Sequence, residues 1–197
     1  MSEPATLQFW YDFASPYSHI AAQIIEQKAA GLTVEWRPFL LGPIFKAQGW
    51  TDSPFNLYPA KGAYMMRDVA RLCADLALPW RRPSSFPRHS VLAARVALQL
   101  PPHEIGRFSR AVFHANFAED LDIAQEAVLM GLLRQLGLPL ALLDEATAPE
   151  HKIQLRRATE EAQARSVFGA PFFLVGDEPF WGADRLDQAV AWARAQS

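Results

Sequence analysis

The residue whose type and setting suggest the most chemistry is Ser15, in the stretch Phe9-Trp10-Tyr11-Asp12-Phe13-Ala14-Ser15-Pro16-Tyr17-Ser18. Leu7, Phe9, Tyr11 and Phe13 occupy alternate positions, a pattern that predicts a largely buried strand over 7–13. Pro16 cannot donate a ladder hydrogen bond but suits the first turn of a helix, and Ile20 to Ile25 continue with helical apolar spacing. Ser15 therefore falls at or beside an N-cap. As a cap alone it would be explained. In the alternative reading its hydroxyl stands beside free N–H groups at the positive end of a helix dipole, where an anion such as a thiolate would be stabilised. Cys73 is the only cysteine in the chain. That count excludes an intramolecular disulfide, a Cys-x-x-Cys redox pair and a thiolate-rich zinc site, and Cys73 reads as a packed core thiol.

The elements that must position Ser15 follow from the rest of the pattern. A chain of 197 residues, 50% of them apolar, is long enough for one good core, or for one core with a modest insertion. Its 19 basic and 21 acidic residues give a formal charge of −2, with no basic run of the kind that nucleic acid or an anionic membrane requires. Met1 to Thr6 has no basic n-region and no apolar h-region, and no later apolar run reaches membrane-spanning length, which predicts a cytoplasmic location. Gly31 ends the first helical pattern, and Thr33 to Arg37 alternates as a second strand, giving β-α-β with a parallel crossover. Pro38 to Pro59 reads as a long ordered loop. Helical patterns then run from Ala60 to beyond Leu76, over 90–100, 104–117 and 123–136, with Asp122 as N-cap and Gly137 as C-cap, and over 150–167, ended by Gly169. Strands return at Phe172–Val175 and Phe180–Trp181, and Asp184 is expected to cap the last helix. Without the central helices the order is βαβ followed by ββα, the outline of a thioredoxin-like α/β mixed sheet with an inserted all-helical domain. The expected division is 1–42 with 166–197 for the sheet unit, and 43–165 for the insertion.

Six fragments carry a family resemblance over nearly the whole chain: Phe13-Ala14-Ser15-Pro16-Tyr17-Ser18, Arg37-Pro38-Phe39-Leu40-Leu41-Gly42, Pro59-Ala60-Lys61-Gly62-Ala63-Tyr64-Met65, Asp122-Ile123, Phe168-Gly169-Ala170-Pro171 and Trp181-Gly182-Ala183-Asp184-Arg185-Leu186. Together they resemble the 2-hydroxychromene-2-carboxylate isomerase family. They are also similar to the kappa-class glutathione transferases, which share its DsbA-like fold. The resemblance implies that Ser15 and Ser18 stand at the two cysteine positions of the oxidoreductase relatives. It implies a cis bond before Pro171, with the Ala170 backbone pairing with the cysteinyl part of glutathione as an added strand would. Trp181, Gly182, Ala183 and Asp184 would meet the γ-glutamyl end, and Lys61 matches a lysine that contacts glutathione in the kappa enzymes. Lys46, Asn56, Arg88 and His89 lie where the isomerases place groups near the aromatic acid or at the domain interface. Asp52, where the kappa pattern leads one to expect Asn, and Ala183, where some isomerases have Asn, depart from the family.

The function this resemblance implies is a glutathione-dependent cis-trans isomerase acting on a hydroxyaromatic pyruvate in aromatic compound degradation. Glutathione would be the cofactor, no metal would be needed, and a small aromatic carboxylate would be the partner, with a homodimer possible. Two alternatives remain at this point: a kappa-like transferase that conjugates glutathione to an electrophile, and a non-catalytic thioredoxin-like binding module.

Overall fold

The computed structural model describes residues 6–196; residues 1–5, on which the reading of the N-terminal stretch rests, and residue 197 lie outside them. Four strands form one sheet in the order β2-β1-β3-β4: β1 (Thr6–Tyr11), β2 (Thr33–Pro38), β3 (Phe172–Val175) and β4 (Glu178–Trp181). β1 runs parallel to β2, with Phe9 opposite Trp36, and antiparallel to β3, with Phe9 opposite Phe173. β3 and β4 pair antiparallel, with Phe172 opposite Trp181. Helix α1 (Pro16–Lys28) joins β1 to β2.

β1 is central and buries both faces. Leu7, Phe9 and Tyr11 point into the larger core, where Phe9 lies 4.9 Å from Tyr11, 5.0 Å from Trp36 and 5.4 Å from Phe173 between ring centroids. On the other face Trp10 packs with Phe39, Ile44, Phe172 and Leu174. Burial of each large apolar side chain contributes roughly 1.5–3 kcal/mol, well above the tenths of a kcal/mol that separate strand-forming residues. The aromatic set therefore fixes this strand more than propensity does.

Between β2 and β3 the chain forms α2 (Leu41–Ala47), α3 (Pro54–Leu57), α4 (Pro59–Asp75), α5 (Val91–Gln99), α6 (Pro102–Phe117), α7 (Glu126–Leu136), α8 (Ala141–Glu145) and α9 (Pro149–Ala164). Phe108, Val112, Phe113 and Phe117 of α6 share the core of Phe9, Tyr11, Phe13, Ala21 and Ile25. Met65, Val69 and Cys73 of α4 pack on Ile20 of α1. α1 is thus covered by the sheet on one side and by inserted helices on the other. A 3-10 turn, Ala183–Arg185, leads into α10 (Leu186–Ala195).

Several expectations are corrected. The segment 38–59 is not one loop but carries α2 and α3, each with a proline in its first turn or at its start: Pro43 in α2 and Pro54 in α3. α7 begins at Glu126, because Asp122 folds its own turn: its Oδ1 accepts from Ala124 N at 3.1 Å and its Oδ2 from Gln125 Nε2 at 3.1 Å. Helix α9 ends at Ala164, ahead of Ser166 at φ 58°, so Gly169 does not terminate it. Gly137 closes α7 at φ 67° as expected.

His19 of α1 is fully buried against Phe113 and Phe117. The Pro79 carbonyl lies close by without meeting hydrogen-bond geometry at either ring nitrogen. Burial, and then His114, push its pKa down from 6.5 to about 4. Between those values the unfolded chain binds the proton that the folded chain refuses, so stability is fully present above about pH 6.5 and falls as pH drops toward 4. At about 1.4 kcal/mol per pKa unit the loss is about 3 kcal/mol. Asp12, whose carboxyl is pushed up by burial, acts in the opposite direction. The expected result is that His19→Leu removes this decline, read as the difference from wild type in urea unfolding at pH 7, 5.5 and 4.

Candidate active site

β1 ends in a turn that its own side chain builds. Ser15 N donates to the Asp12 carbonyl at 2.9 Å, and Ala14 N donates to Asp12 Oδ1 at 2.9 Å. Asp followed two residues later by a bonded N–H is an Asx-turn. Ser15 then caps α1 at φ −89°, ψ 117°, with Pro16 as the first helical residue. Its Oγ accepts from Ser18 N at 3.2 Å and donates to the Ala170 carbonyl at 2.9 Å. Ser15 is 6% exposed. Ser18 is fully buried and its hydroxyl has no hydrogen-bond partner. Of the two serines, Ser15 is the less deeply buried.

The bond before Pro171 is cis, as the resemblance implies. Ala170 and Pro171 lead into β3, and the Pro171 carbonyl accepts from Gly182 N at 3.0 Å, which joins the end of β4 to the start of β3. Gly182 has φ 112°, a conformation that L side chains rarely adopt. Trp181, 57% exposed, lies edge-on to Phe168 at 4.9 Å and covers Gly169, where a Cβ would collide with the indole nitrogen. Ala183 packs on the cluster of Ile20, Met65 and Val69 beside α1. The structure thus gathers Ser15, Ala170 and Pro171, and ties the 181–183 segment to Pro171 and α1.

Asp184 departs from its expected role. It lies inside the 3-10 turn, makes no capping hydrogen bond, and its exposed carboxylate approaches Arg185 at 3.4 Å. Free of a capping bond, it presents its charge to solvent beside the turn. Lys61 is exposed in the first turn of α4, its Nζ 4.8 Å from the Tyr58 ring centroid. Lys46 is exposed in the last turn of α2, and Asn56 of α3 donates to Asp52 Oδ2 at 3.1 Å. His89 is exposed and bears on the Asp122 carboxylate.

Arg88 is buried, and its guanidinium points inward. Nη1 donates to the Asn116 carbonyl, Asn116 Oδ1 and the Leu121 carbonyl, each at 3.0 Å. Nη2 meets Ser84 Oγ at 3.2 Å and pairs with the Asp120 carboxylate. The Ser84 amide and then the Arg88 guanidinium hold the Asp120 carboxyl down, to about 2. The same Asn116 donates from Nδ2 to the Phe13 carbonyl at 2.9 Å. Arg88 therefore acts on the Ser15 turn from beneath, through Asn116.

Three residues of the site had no place in the sequence reading. Asp12 is 4% exposed; besides Ala14 N, its Oδ1 accepts from Ser90 Oγ at 2.6 Å and its Oδ2 from Leu41 N at 2.8 Å. Ser90 and Asn116 are its partners in holding the turn. Asp at a strand end, three residues before Ser-Pro, was the available signal for Asp12. Nothing in the sequence pointed to Ser90 or Asn116, which come from 78 and 103 residues further along the chain than their partners.

Comparisons with known proteins agree with this architecture. Residues 6–191 match the family model of the DSBA-like thioredoxin domain. The chain is 31% identical to a 2-hydroxychromene-2-carboxylate isomerase of Sphingobium xenophagum, over 92% of this chain and 94% of that one. It is 27% identical to glutathione S-transferase kappa 1 of Homo sapiens, over 93% and 88%. A solved 2-hydroxychromene-2-carboxylate isomerase superposes with a TM-score of 0.87 at 23% identity, over 97% of this chain and 95% of the other.

Two outcomes are expected from this geometry. Arg88→Ala leaves the buried acceptors on Asn116 without their donor and should lower stability in denaturant unfolding by about 1–3 kcal/mol, the cost of an unsatisfied buried polar group. Cys73, fully buried with its thiol pushed up to about 11 by burial, is expected to leave the protein inert in an insulin-reduction assay, its rate equal to that of buffer. By the span of the family model and by its relatives, the chain belongs to the DSBA-like thioredoxin family, in the group that includes the 2-hydroxychromene-2-carboxylate isomerases.

Proposed function

We propose that the protein is a glutathione-dependent cis-trans isomerase of the 2-hydroxychromene-2-carboxylate type. The observation that carries this reading is the Ser15 hydroxyl at the N-cap of α1, 2.9 Å from the carbonyl of Ala170 beside the cis Pro171. The donor set fits a bound thiol: a hydroxyl at a helix N-terminus favours an anion, and serine at both dithiol positions leaves no sulfur to form a disulfide with it. When bound, glutathione supplies a thiolate whose reversible addition to the conjugated alkene turns a double bond into a single bond free to rotate.

The chain's own residues do the rest. Ala170 offers its backbone to the cysteinyl peptide. Trp181, Gly182, Ala183 and Asp184 form the surface for the γ-glutamyl end, with the exposed Asp184 carboxylate, beside Arg185, as the acceptor for an ammonium, and Lys61 is the cation for a carboxylate. Ser15 donates its hydroxyl hydrogen to the sulfur and favours the ionised form, lowering a thiol pKa that is about 8.5 in free cysteine. Lys46, Asn56 and His89 remain candidates for the aromatic acid.

Addition of enzyme to hydroxychromene carboxylate with glutathione should change the ultraviolet spectrum to that of the trans isomer while the glutathione concentration stays constant; consumption of glutathione would identify a transferase instead. Ser15→Ala should lower turnover at neutral pH by about ten- to a thousandfold, the range for loss of one oxyanion-type donor, with a smaller effect on glutathione affinity and partial recovery as pH rises. Wild-type turnover with an unchanged pH profile in that variant would reduce Ser15 to a cap.

A further inference from the structure

We propose that Asp12 is a positioning residue for Ser15, its buried carboxylate holding the strand-to-helix turn so that the serine hydroxyl is aligned on a bound thiol; this rests on the function proposed above. The geometry asks for a carboxylate and not merely a polar side chain. Oδ1 accepts from Ala14 N and Ser90 Oγ, and Oδ2 accepts from Leu41 N. Both oxygens must therefore be acceptors, and an amide, with one oxygen and one NH₂, would set a donor against a donor.

Among the described residues no cation bears on the Asp12 carboxyl; the groups that do are the Ala14 and Leu41 amides and the Ser90 hydroxyl. A buried carboxylate without an ion pair is costly unless donors surround it. Here those donors come from three places in the chain: the turn itself, the first residue of α2, and the residue before α5. Ser90 makes no capping bond to its own helix and gives its hydroxyl to Asp12 instead.

The result is a turn with its polar groups already assigned. The Phe13 carbonyl is held by Asn116, Ala14 N–H by the Asp12 carboxylate, and Ser15 N–H by the Asp12 carbonyl. What stays adjustable at Ser15 is the direction of its hydroxyl hydrogen. Loosening the turn moves that oxygen relative to Ala170 and to any sulfur held there, and alignment is where a single hydrogen-bond donor derives most of its effect on an anion.

The test is the pKa of glutathione's thiol when bound, read from thiolate ultraviolet absorbance against pH, together with thermal unfolding of each variant. Wild type should bind the thiol with its pKa well below the free value. Asp12→Asn should raise the bound value by about one unit, roughly tenfold less thiolate at neutral pH, and Ser90→Ala should raise it by less. Ser90→Thr, which keeps the hydroxyl, should restore it. If Asp12→Asn does not fold, Ser90→Ala against Ser90→Thr decides. A folded variant with lowered melting temperature but the wild-type thiol pKa would show that Asp12 only ties elements together, and a lowered thiol pKa would show that it acts as an opposing charge; either overturns the proposal. A wild-type protein that leaves the thiol pKa unshifted removes the proposed function first, whereas a shifted wild type with unshifted variants removes only the role of Asp12.

Discussion

A carboxylate taken out of water without a cation beside it must be enclosed by hydrogen-bond donors. In this protein that requirement falls on Asp12, and the placing of several elements follows from it. Leu41 can supply its N–H only if the chain turns into a helix directly after β2, since an N–H at the first position of a helix has no partner within the helix. Ser90 can supply its hydroxyl only if α5 starts beneath the end of β1. The inserted helices are therefore attached to the sheet at the end where Ser15 lies as well as through the apolar core.

The second constraint is the double burial of β1. With Phe9 and Tyr11 on one face and Trp10 on the other, all without solvent exposure, this strand has one workable place, the interior of the sheet. Its two neighbours then differ in kind. β2 arrives through α1 and is parallel, while β3 arrives after the helical block and is antiparallel. Because β3 begins at Phe172, directly after Pro171, that reversal is what brings Ala170 against Ser15 although 155 residues separate them.

What could be read from the sequence divides along the same line. Alternating aromatic residues in β1, the Ser-Pro start of α1, the run Phe172–Val175 and the glycine at 137 were legible because each signal is local. The thioredoxin-like mixed sheet and the cis bond at Pro171 followed from local pattern together with the family resemblance, whereas the order of the strands across the sheet is seen only in the folded chain. The helices at 41–47 and 54–57 were missed because glycine and proline in those stretches read as breakers, whereas Pro54 starts its helix and Pro43 fits a first turn. Asp184 was misread because Gly182, at positive φ, begins a 3-10 turn one residue earlier. The inward turn of Arg88 was illegible for a different reason: a surface guanidinium and one held by Asn116, Leu121, Ser84 and Asp120 are the same letter. Whether a charged side chain points outward is decided by partners distant in sequence, and only the folded chain shows them.

The hydroxyl of Ser15 already has an acceptor, the Ala170 carbonyl at 2.9 Å. A group that comes to the site must therefore offer more than an uncharged carbonyl does before the hydrogen will turn toward it. Hydrogen bonds to ionised acceptors are about twice as strong as those between neutral groups, so an anion wins this competition and a neutral sulfur, a weak acceptor, does not. The resting bond acts as a threshold on charge: it lets the serine stay silent toward a protonated visitor and respond to a deprotonated one.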